Sequence, residues 1–373
     1  MIGYYAHNHG SGHCNYANLL SRTFKDSMVV FTSKNYEFYK DTNVVFLPDE
    51  DYDGTELNPE QFPEPCYLHY APLHLKKIQI RNYALLKETI AEGVKLLIVD
   101  VSVEIAALAR VCSIPYAYVR MFGKRDDTPH IGAYEGAAFL IAYYPEELEP
   151  TDTPEWIKKK TLYCGFYSRY SHSSLTWQKA LTTLNLTPDE KIITCLLGCG
   201  ENDASLSSIA DLAAEFPDHK IFVLGENSSS THYPNVQYKG FVKDPSLYLK
   251  VSEFAVGPCG ITSIAEIADL DVNYIAIPEN RPFDEQLSLA KTLEEKRLIS
   301  IKKENESFST CLNRLLKCKN EWPSLTNPNA PIQLLDWLQA YNYELEYLCG
   351  SLEQSNTLSQ HIQNILNQKP LAG

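Results

Sequence analysis

Three imidazoles and two glycines fall within seven residues in His7-Asn8-His9-Gly10-Ser11-Gly12-His13. Histidine can take a proton from a hydroxyl near neutral pH. Glycine lets backbone approach a ligand closely. The unpaired N–H groups of a helix starting here would favour an anion such as a diphosphate. His13, at that helix start, is the candidate general base, with His7 and His9 just before it. The same residues would equally make a glycine turn carrying polar surface histidines. The spacing falls short of G-x-G-x-x-G and no clear ribose acid follows, so a dinucleotide site is poorly supported.

A second group lies far along the chain. Gly257-Pro258-Cys259-Gly260-Ile261-Thr262-Ser263-Ile264-Ala265-Glu266 reads as glycines ending a strand, a helix starting near Thr262, and a carboxylate about one turn further on. Glu266 there suits a ribose diol, although alone it reads as an exposed acid on a capped helix. Asp284, Glu285 and Gln286 follow the next strand, Ile275-Ala276-Ile277-Pro278, and their carboxylates and amide suit sugar hydroxyls. A further glycine loop, Leu196-Leu197-Gly198-Cys199-Gly200-Glu201-Asn202, ends another strand. Tight turns use the same glycines, so this signal is weak by itself.

These groups need elements to position them. Short apolar runs alternate with longer amphipathic stretches, the signature of βαβ units and a parallel sheet. The first half predicts strands at 2–6, 28–31, 44–47, 96–99, 116–119 and 139–142, with helices at 14–23, 75–92 and 103–112. The pattern then restarts, with strands at 192–197, 220–224, 253–256, 274–277 and 299–301 and helices at 205–215, 262–269 and 285–295. The join falls at 163–174. Residues 49–65, acidic and rich in Pro, Asn and Gly, read as a long surface loop. From 331 the pattern is helical, and the polar stretch 354–373 is expected to fray.

The chain has 373 residues and a net charge of -14. That balance argues against a nucleic-acid binder, which needs clustered Lys and Arg, and leaves room for only weak peripheral membrane association. The densest basic run, Lys158-Lys159-Lys160, reads as a solvated face. The ten cysteines include no Cys-x-x-Cys pair and no zinc spacing, so no metal site is expected. A strand-like start at Ile2 without an apolar leader, and the lack of a bilayer-long apolar run, point to a cytoplasmic protein with free, mostly buried thiols.

Taken together, the motifs resemble glycosyltransferases of the GT-B fold. They are most similar to the bacterial peptidoglycan N-acetylglucosaminyltransferases and related bacterial transferases, and more distantly to the plant enzymes that glycosylate small molecules. The likeness touches both halves and is dense at 2–20 and 240–290. It implies an α/β chain of two Rossmann-like domains facing each other across a cleft. Residues 1–165 would form the acceptor side and 166–330 the nucleotide-sugar side. Residues 331–373 would be a helical segment packing back on the first domain.

The resemblance also implies roles. Gly10, Ser11, Gly12 and His13 match the first-loop Gly-x-Gly-His, which makes His13 the base. Phe241 and Val242, after Gly240, match the pair that holds the nucleotide's base. Gly260, Ile261 and Thr262 match the phosphate-binding turn, and Glu266 the ribose-binding glutamate. Glu285 and Gln286 match the pair that reads the donor sugar. Gly12 and Gly198 complete the donor set. The acceptor side would use His7, His9, Arg120, Lys124, Arg125 and His130. Pro258 stands where the plant pattern has a histidine, which favours the bacterial branch. Asp271 and Asn273 replace a usual Gly and Pro, and Cys199 and Glu201 make the glycine loop atypical. Glu285 replaces a glutamine of the peptidoglycan enzymes, which puts N-acetylglucosamine as the donor in doubt.

The implied activity is inverting, metal-independent transfer of a hexose from a UDP- or dTDP-sugar, which is substrate rather than cofactor. The acceptor hydroxyl would belong to a glycan, a lipid-linked sugar or a small molecule, although the negative charge argues against a lipid-linked one. A nucleotide-sugar hydrolase or epimerase on the same fold, and a binding protein without catalysis, remain open alternatives.

Overall fold

Strands that are buried along their whole length need cover on both faces, and the residues at 2–6, 28–32, 96–100 and 116–120 are all buried. The computed structural model describes residues 1–350 except 59, 198–202, 226–231 and 318–321, with backbone alone for 203–207 and 342–350. The first half runs β1 (Ile2–Ala6), α1 (Gly12–Phe24), β2 (Met28–Thr32), β3 (Val44–Phe46), α2 (Lys76–Ala91), β4 (Leu96–Asp100), α3 (Val103–Val111), β5 (Tyr116–Arg120), α4 (Thr128–Gly136), β6 (Phe139–Ala142), α5 (Glu155–Lys160) and β7 (Thr161–Tyr163). The second runs α6 (Trp177–Leu184), β8 (Lys191–Leu196), α7 (Asp203–Glu215), β9 (His219–Leu224), β10 (Val236–Gly240), α8 (Ser246–Val251), β11 (Phe254–Gly257), α9 (Ile261–Leu270), β12 (Tyr274–Ala276), α10 (Glu285–Glu295), β13 (Ser300–Ile301), α11 (Phe308–Leu315), α12 (Trp322–Leu325) and α13 (Ala330–Gly350).

Two parallel sheets result. One has seven strands in the order β3-β2-β1-β4-β5-β6-β7, the other six in the order β10-β9-β8-β11-β12-β13. In both, the strand order reverses beside the first strand, between β1 and β4 and between β8 and β11. Ligands of open α/β sheets bind at the carboxyl ends of strands at such reversals. The histidine-glycine segment follows β1, and the Gly257–Gly260 turn follows β11, so both lie at a reversal.

Alternation fixes the register. Ile2, Tyr4 and Ala6 of β1 enter one apolar cluster and Tyr5 enters another on the opposite face. The first cluster does not end at the sheet. It continues through Phe166, Tyr167 and Tyr170 of the connecting segment into Ile261, Ile264 and Ile267 of α9, then into Trp322 and on to Leu334 and Leu338 of α13. Tyr16 stacks on Tyr143 at 4.2 Å and meets Tyr167 edge-on at 5.3 Å inside this shared core.

The chain passes between the halves twice, and the two crossings are stitched together. Phe166 pairs with Thr326, the Phe166 N–H donates to Leu325 O at 3.0 Å, and the Asn327 N–H donates to Phe166 O at 2.7 Å. Asn327 Nδ2 also donates to Cys164 O at 2.8 Å. Gly165 sits at φ 74°, and a Cβ there would stand 2.8 Å from the Asn327 Cβ, so this turn requires glycine. After the second crossing α13 packs against α1, and Tyr341 meets Phe139 edge-on at 5.4 Å.

The predicted strands and helices are present with ends shifted by one or two residues, and the 354–373 stretch lies outside the described residues. Several elements were not foreseen. β10 is an edge strand of alternating exposure, not an apolar run. β7 has only three residues. α4 carries Pro129, Gly132 and Gly136 and presents no apolar stripe. The Lys158-Lys159-Lys160 run ends α5, where Lys160 Nζ donates to the carbonyls of Tyr134 and Glu135 at 2.8 Å. Cys14, Cys164, Cys195, Cys259 and Cys311 are buried free thiols, while Cys66 and Cys112 are exposed. Among the described residues no helix is long and apolar enough to cross a membrane.

Phe166 is fully buried where both crossings meet the shared core. Phe166→Ala should cost about 3–5 kcal/mol. Urea unfolding followed separately by far-UV and near-UV signals should show one transition moving as a whole to lower denaturant, because neither sheet keeps a complete core alone.

Candidate active site

The register of β1 against β4 sets the site. Ala6 pairs with Asp100, so the loop that leaves β1 folds over the end of β4. His13, in the first turn of α1, places Nδ1 2.9 Å from Asp100 Oδ2. The same Asp100 oxygen accepts from the Tyr4 hydroxyl at 2.9 Å, and Tyr4 in turn lies 3.1 Å from the Tyr143 hydroxyl. The Asp100 side chain is 1% exposed and the His13 side chain 16%. A carboxylate on Nδ1 fixes the tautomer and leaves Nε2 free to exchange a proton. Burial alone would depress the His13 imidazolium. The Asp100 charge and hydrogen bond reverse that, Glu285 adds to them, and the pKa ends above the ordinary histidine value.

Asp100 was not foreseen. Its sequence signal is slight, an acid closing the apolar run Leu96–Val99. The next residue, Val101, sits at φ 64°, a costly conformation for a β-branched side chain. Its carbonyl accepts from the Tyr118 hydroxyl at 2.6 Å, which holds the turn that presents Asp100.

Of the other histidines, His7 is largely buried, and burial first and then neighbouring His13 push its pKa well below the usual value. Its Nδ1 accepts from the His9 N–H at 3.2 Å, and His9 itself is exposed. Behind them the buried Arg81 donates to Tyr5 Oη and, at 2.6 Å, to Pro48 O, and faces Glu50 at 3.7 Å.

Across the gap, the start of α9 is bare. Gly260 is its N-cap, and among the described residues no side chain caps it. The start of α1 is uncapped in the same way. The two meet closely, since a Cβ on Gly12 would stand 3.0 Å from Thr262 Oγ1. Two helix N-termini therefore converge beside His13, an arrangement suited to a polyanion. The Gly257–Gly260 turn is supported from behind. Gln286 Oε1 accepts from the N–H groups of Cys259 and Glu279, both at 2.9 Å, and Gln286 Nε2 donates to Glu279 Oε2 at 3.1 Å. Tyr274 Oη donates to Pro258 O at 2.8 Å. Gln286 is thus engaged in the turn's own hydrogen bonds.

Glu266 is buried on α9 and its Oε1 pairs with Arg169 Nε at 2.9 Å. Burial raises its pKa and Arg169 opposes that. Phe241, just after β10, is 83% exposed, and Val242 beside it packs partly into a small apolar cluster. Glu285, first in α10, pairs with Arg125 Nη2 at 3.0 Å, and Asp284 pairs with Lys124 at 2.7 Å. Lys124 N–H also donates to Phe283 O at 2.8 Å, so the 121–127 loop clasps the segment that leads into α10. Arg125 Nη1 stands 3.0 Å from His130 Nε2, and His130 is pushed down to about 4 by burial and then by Arg125. Arg120 points elsewhere, into a buried pair with Glu149 at 2.8 Å. The structure therefore brings His13, Gly12, Thr262, Lys124, Arg125 and Glu285 together. Arg120 is in the core, and Gly198 lies outside the described residues.

Paired doubly wound sheets with their reversal points facing one gap define the GT-B fold, and the chain has it. No family model and no curated protein matches the sequence. Solved structures match the fold. The MurG of Acinetobacter baumannii is 13% identical with TM-score 0.61, covering 91% of this chain and 99% of its own. The spinosyn rhamnosyltransferase SpnG in complex with thymidine diphosphate is 14% identical with TM-score 0.59, covering 90% of this chain and 100% of its own. The glycosyltransferase SnogD from Streptomyces nogalater is 12% identical with TM-score 0.58, covering 90% of this chain and 99% of its own.

The raised His13 pKa sets the sign of a pH effect. A group whose pKa is raised on folding stabilises the fold below its unfolded value, about 6.5, and that contribution fades as pH climbs through the folded value. The Tm gap between wild type and His13→Asn should therefore be wider at about pH 5.5 than at about pH 9. In Asp100→Asn, the His13 ring resonances in an NMR titration should shift to a lower midpoint.

Proposed function

We propose that this protein is a glycosyltransferase that moves a sugar from a nucleotide diphosphate sugar to an acceptor hydroxyl, with inversion. The observation that carries the reading is the His13–Asp100 pair set beside two uncapped helix N-termini. One part can take a proton and the other can hold a leaving diphosphate, and such a transfer needs both.

The donor lies on the second half. Its diphosphate sits against the start of α9 and the Gly257–Gly260 turn, where backbone N–H groups offset the charge that grows as the glycosidic bond breaks. This makes a metal-independent departure workable. The free oxygen of Glu266 takes the ribose diol while Arg169 holds the other. Phe241, an exposed aromatic on the rim, stacks on a uracil or thymine base. Glu285 accepts from sugar hydroxyls. SpnG was solved with thymidine diphosphate, which supports trying dTDP as well as UDP donors.

The acceptor lies against the first half, beside the 121–130 loop, with Lys124 and Arg125 at the boundary. His13 Nε2 accepts the hydroxyl proton as the oxygen attacks the anomeric carbon. Asp100 stabilises the imidazolium so formed and does not itself need to take the proton.

Calorimetric titration with UDP, dTDP and GDP tests the donor half. One pyrimidine diphosphate should bind, and Glu266→Ala and Phe241→Ala should each weaken it; no binding of any of the three would remove the reading. With a donor in hand, His13→Ala should lower turnover roughly 10²–10⁴-fold and leave nucleotide affinity near wild type. Asp100→Asn should lower turnover by a smaller factor and shift the acid limb of the pH–rate profile downward. Free sugar released without acceptor at full rate would instead assign hydrolysis.

A further inference from the structure

Beside the clasp between the halves, three side chains to which the proposed reaction assigns no step come together. His69 Nε2 lies 2.6 Å from Asp127 Oδ2, and His130 Nδ1 lies 2.5 Å from Asp127 Oδ1. All three ligand-type atoms fall within 4.8 Å of one another. We propose that His69, Asp127 and His130 form a binding site for a zinc-class divalent ion, and that the ion and Arg125 compete for His130.

The ligand set suits such an ion: two imidazoles and one carboxylate, the donors that borderline cations favour. Zinc holds nitrogen and oxygen at about 2.0–2.2 Å, which sets tetrahedral ligand atoms about 3.3 Å apart. The two short contacts, which use different Asp127 oxygens, must therefore open by less than about 1 Å, and any wider separation within the 4.8 Å cluster must close to the same spacing. The ligands are pre-positioned. Asp127 caps α4 by accepting from the His130 N–H at 3.2 Å, and this bond can persist while the carboxylate takes a metal. The His69 loop is pinned by Glu104, whose Oε1 accepts from the N–H groups of His69 and Tyr70 at 2.8 and 2.9 Å. Phe283 walls the site, its ring 4.8 Å from His130 and 5.3 Å from His69. The charge around the three ligands favours a dication, with Glu104, Asp126, Asp284 and Glu285 set against Lys124 and Arg125.

The competition follows from where the protons sit. A guanidinium only donates, so the 3.0 Å contact from Arg125 Nη1 means that His130 Nε2 carries a lone pair and Nδ1 the hydrogen given to Asp127. A metal ion on Nδ1 needs that lone pair. The hydrogen must then reside on Nε2, where it faces Arg125 donor to donor, and Arg125 must withdraw. His69 shifts its hydrogen from Nε2 to Nδ1 in the same event. Metal loading would thus loosen Arg125, one of the two residues by which the first half grips the Phe283–Glu285 segment.

The test is titration of chelator-treated full-length protein with Zn²⁺ alone, read by calorimetry and by Co²⁺ visible absorption. It uses a Cys66→Ser, Cys112→Ser background that removes the two exposed thiols among the described residues. It does not depend on any transferase activity. One equivalent should bind, and His69→Ala and His130→Gln should each weaken it roughly tenfold or more. His69 is exposed, so its variant reports on binding without a folding penalty, checked by thermal denaturation. Arg125→Met should tighten binding. No stoichiometric binding, or binding indifferent to His69→Ala, would overturn the site. Unchanged or weaker binding in Arg125→Met would overturn the competition.

Discussion

An apolar core that does not stop at the edge of one sheet is the constraint on which the rest of this molecule depends. Each sheet could in principle close its own faces with its own helices. Instead the face of the first sheet under α1 shares residues with α9 and α13, and the segment around Phe166, Tyr167 and Tyr170 fills the space between. The helix starts of α1 and α9 are therefore held close by burial, although both present uncompensated N–H groups and repel each other electrostatically. Removing apolar surface from water outweighs that repulsion, and the gap keeps a standing attraction for anions.

Asp100 works within this frame as a second, local constraint. It is almost fully buried, one of its oxygens serves both His13 and Tyr4, and the other has no hydrogen-bond partner among the described residues. Such a carboxylate is costly unless a cation stands beside it. His13 is that cation when protonated, which is why the pair can store a proton and why the geometry survives only if the β1–β4 register is kept. The strained Val101 turn is the conformational cost of presenting the carboxylate there.

Much of this was legible in the sequence, for identifiable reasons. Doubly covered parallel strands are continuous apolar runs, so the two restarting series of strands stood out. The glycine loops marked the carboxyl ends of β1 and β11 because backbone must turn sharply there. What stayed hidden was non-local or irregular. Asp100 lies 87 positions from His13, and only the pairing of Ala6 with Asp100 brings them together. Gln286 reads as a sugar-facing amide until its contacts with Cys259 and Glu279 are seen. β10 exposes alternate side chains, and α4 carries glycines where a helix pattern would carry leucines. His69, Asp127 and His130 lie on two segments whose meeting no spacing rule anticipates.

The doubled crossing has a mechanical consequence. A single tether would let the halves twist, slide and separate in many directions. Two tethers bonded to each other at Phe166, Thr326 and Asn327 behave as one short ribbon, and a ribbon bends chiefly about one axis. Twisting of one half against the other is thereby resisted at Gly165, where the ribbon turns.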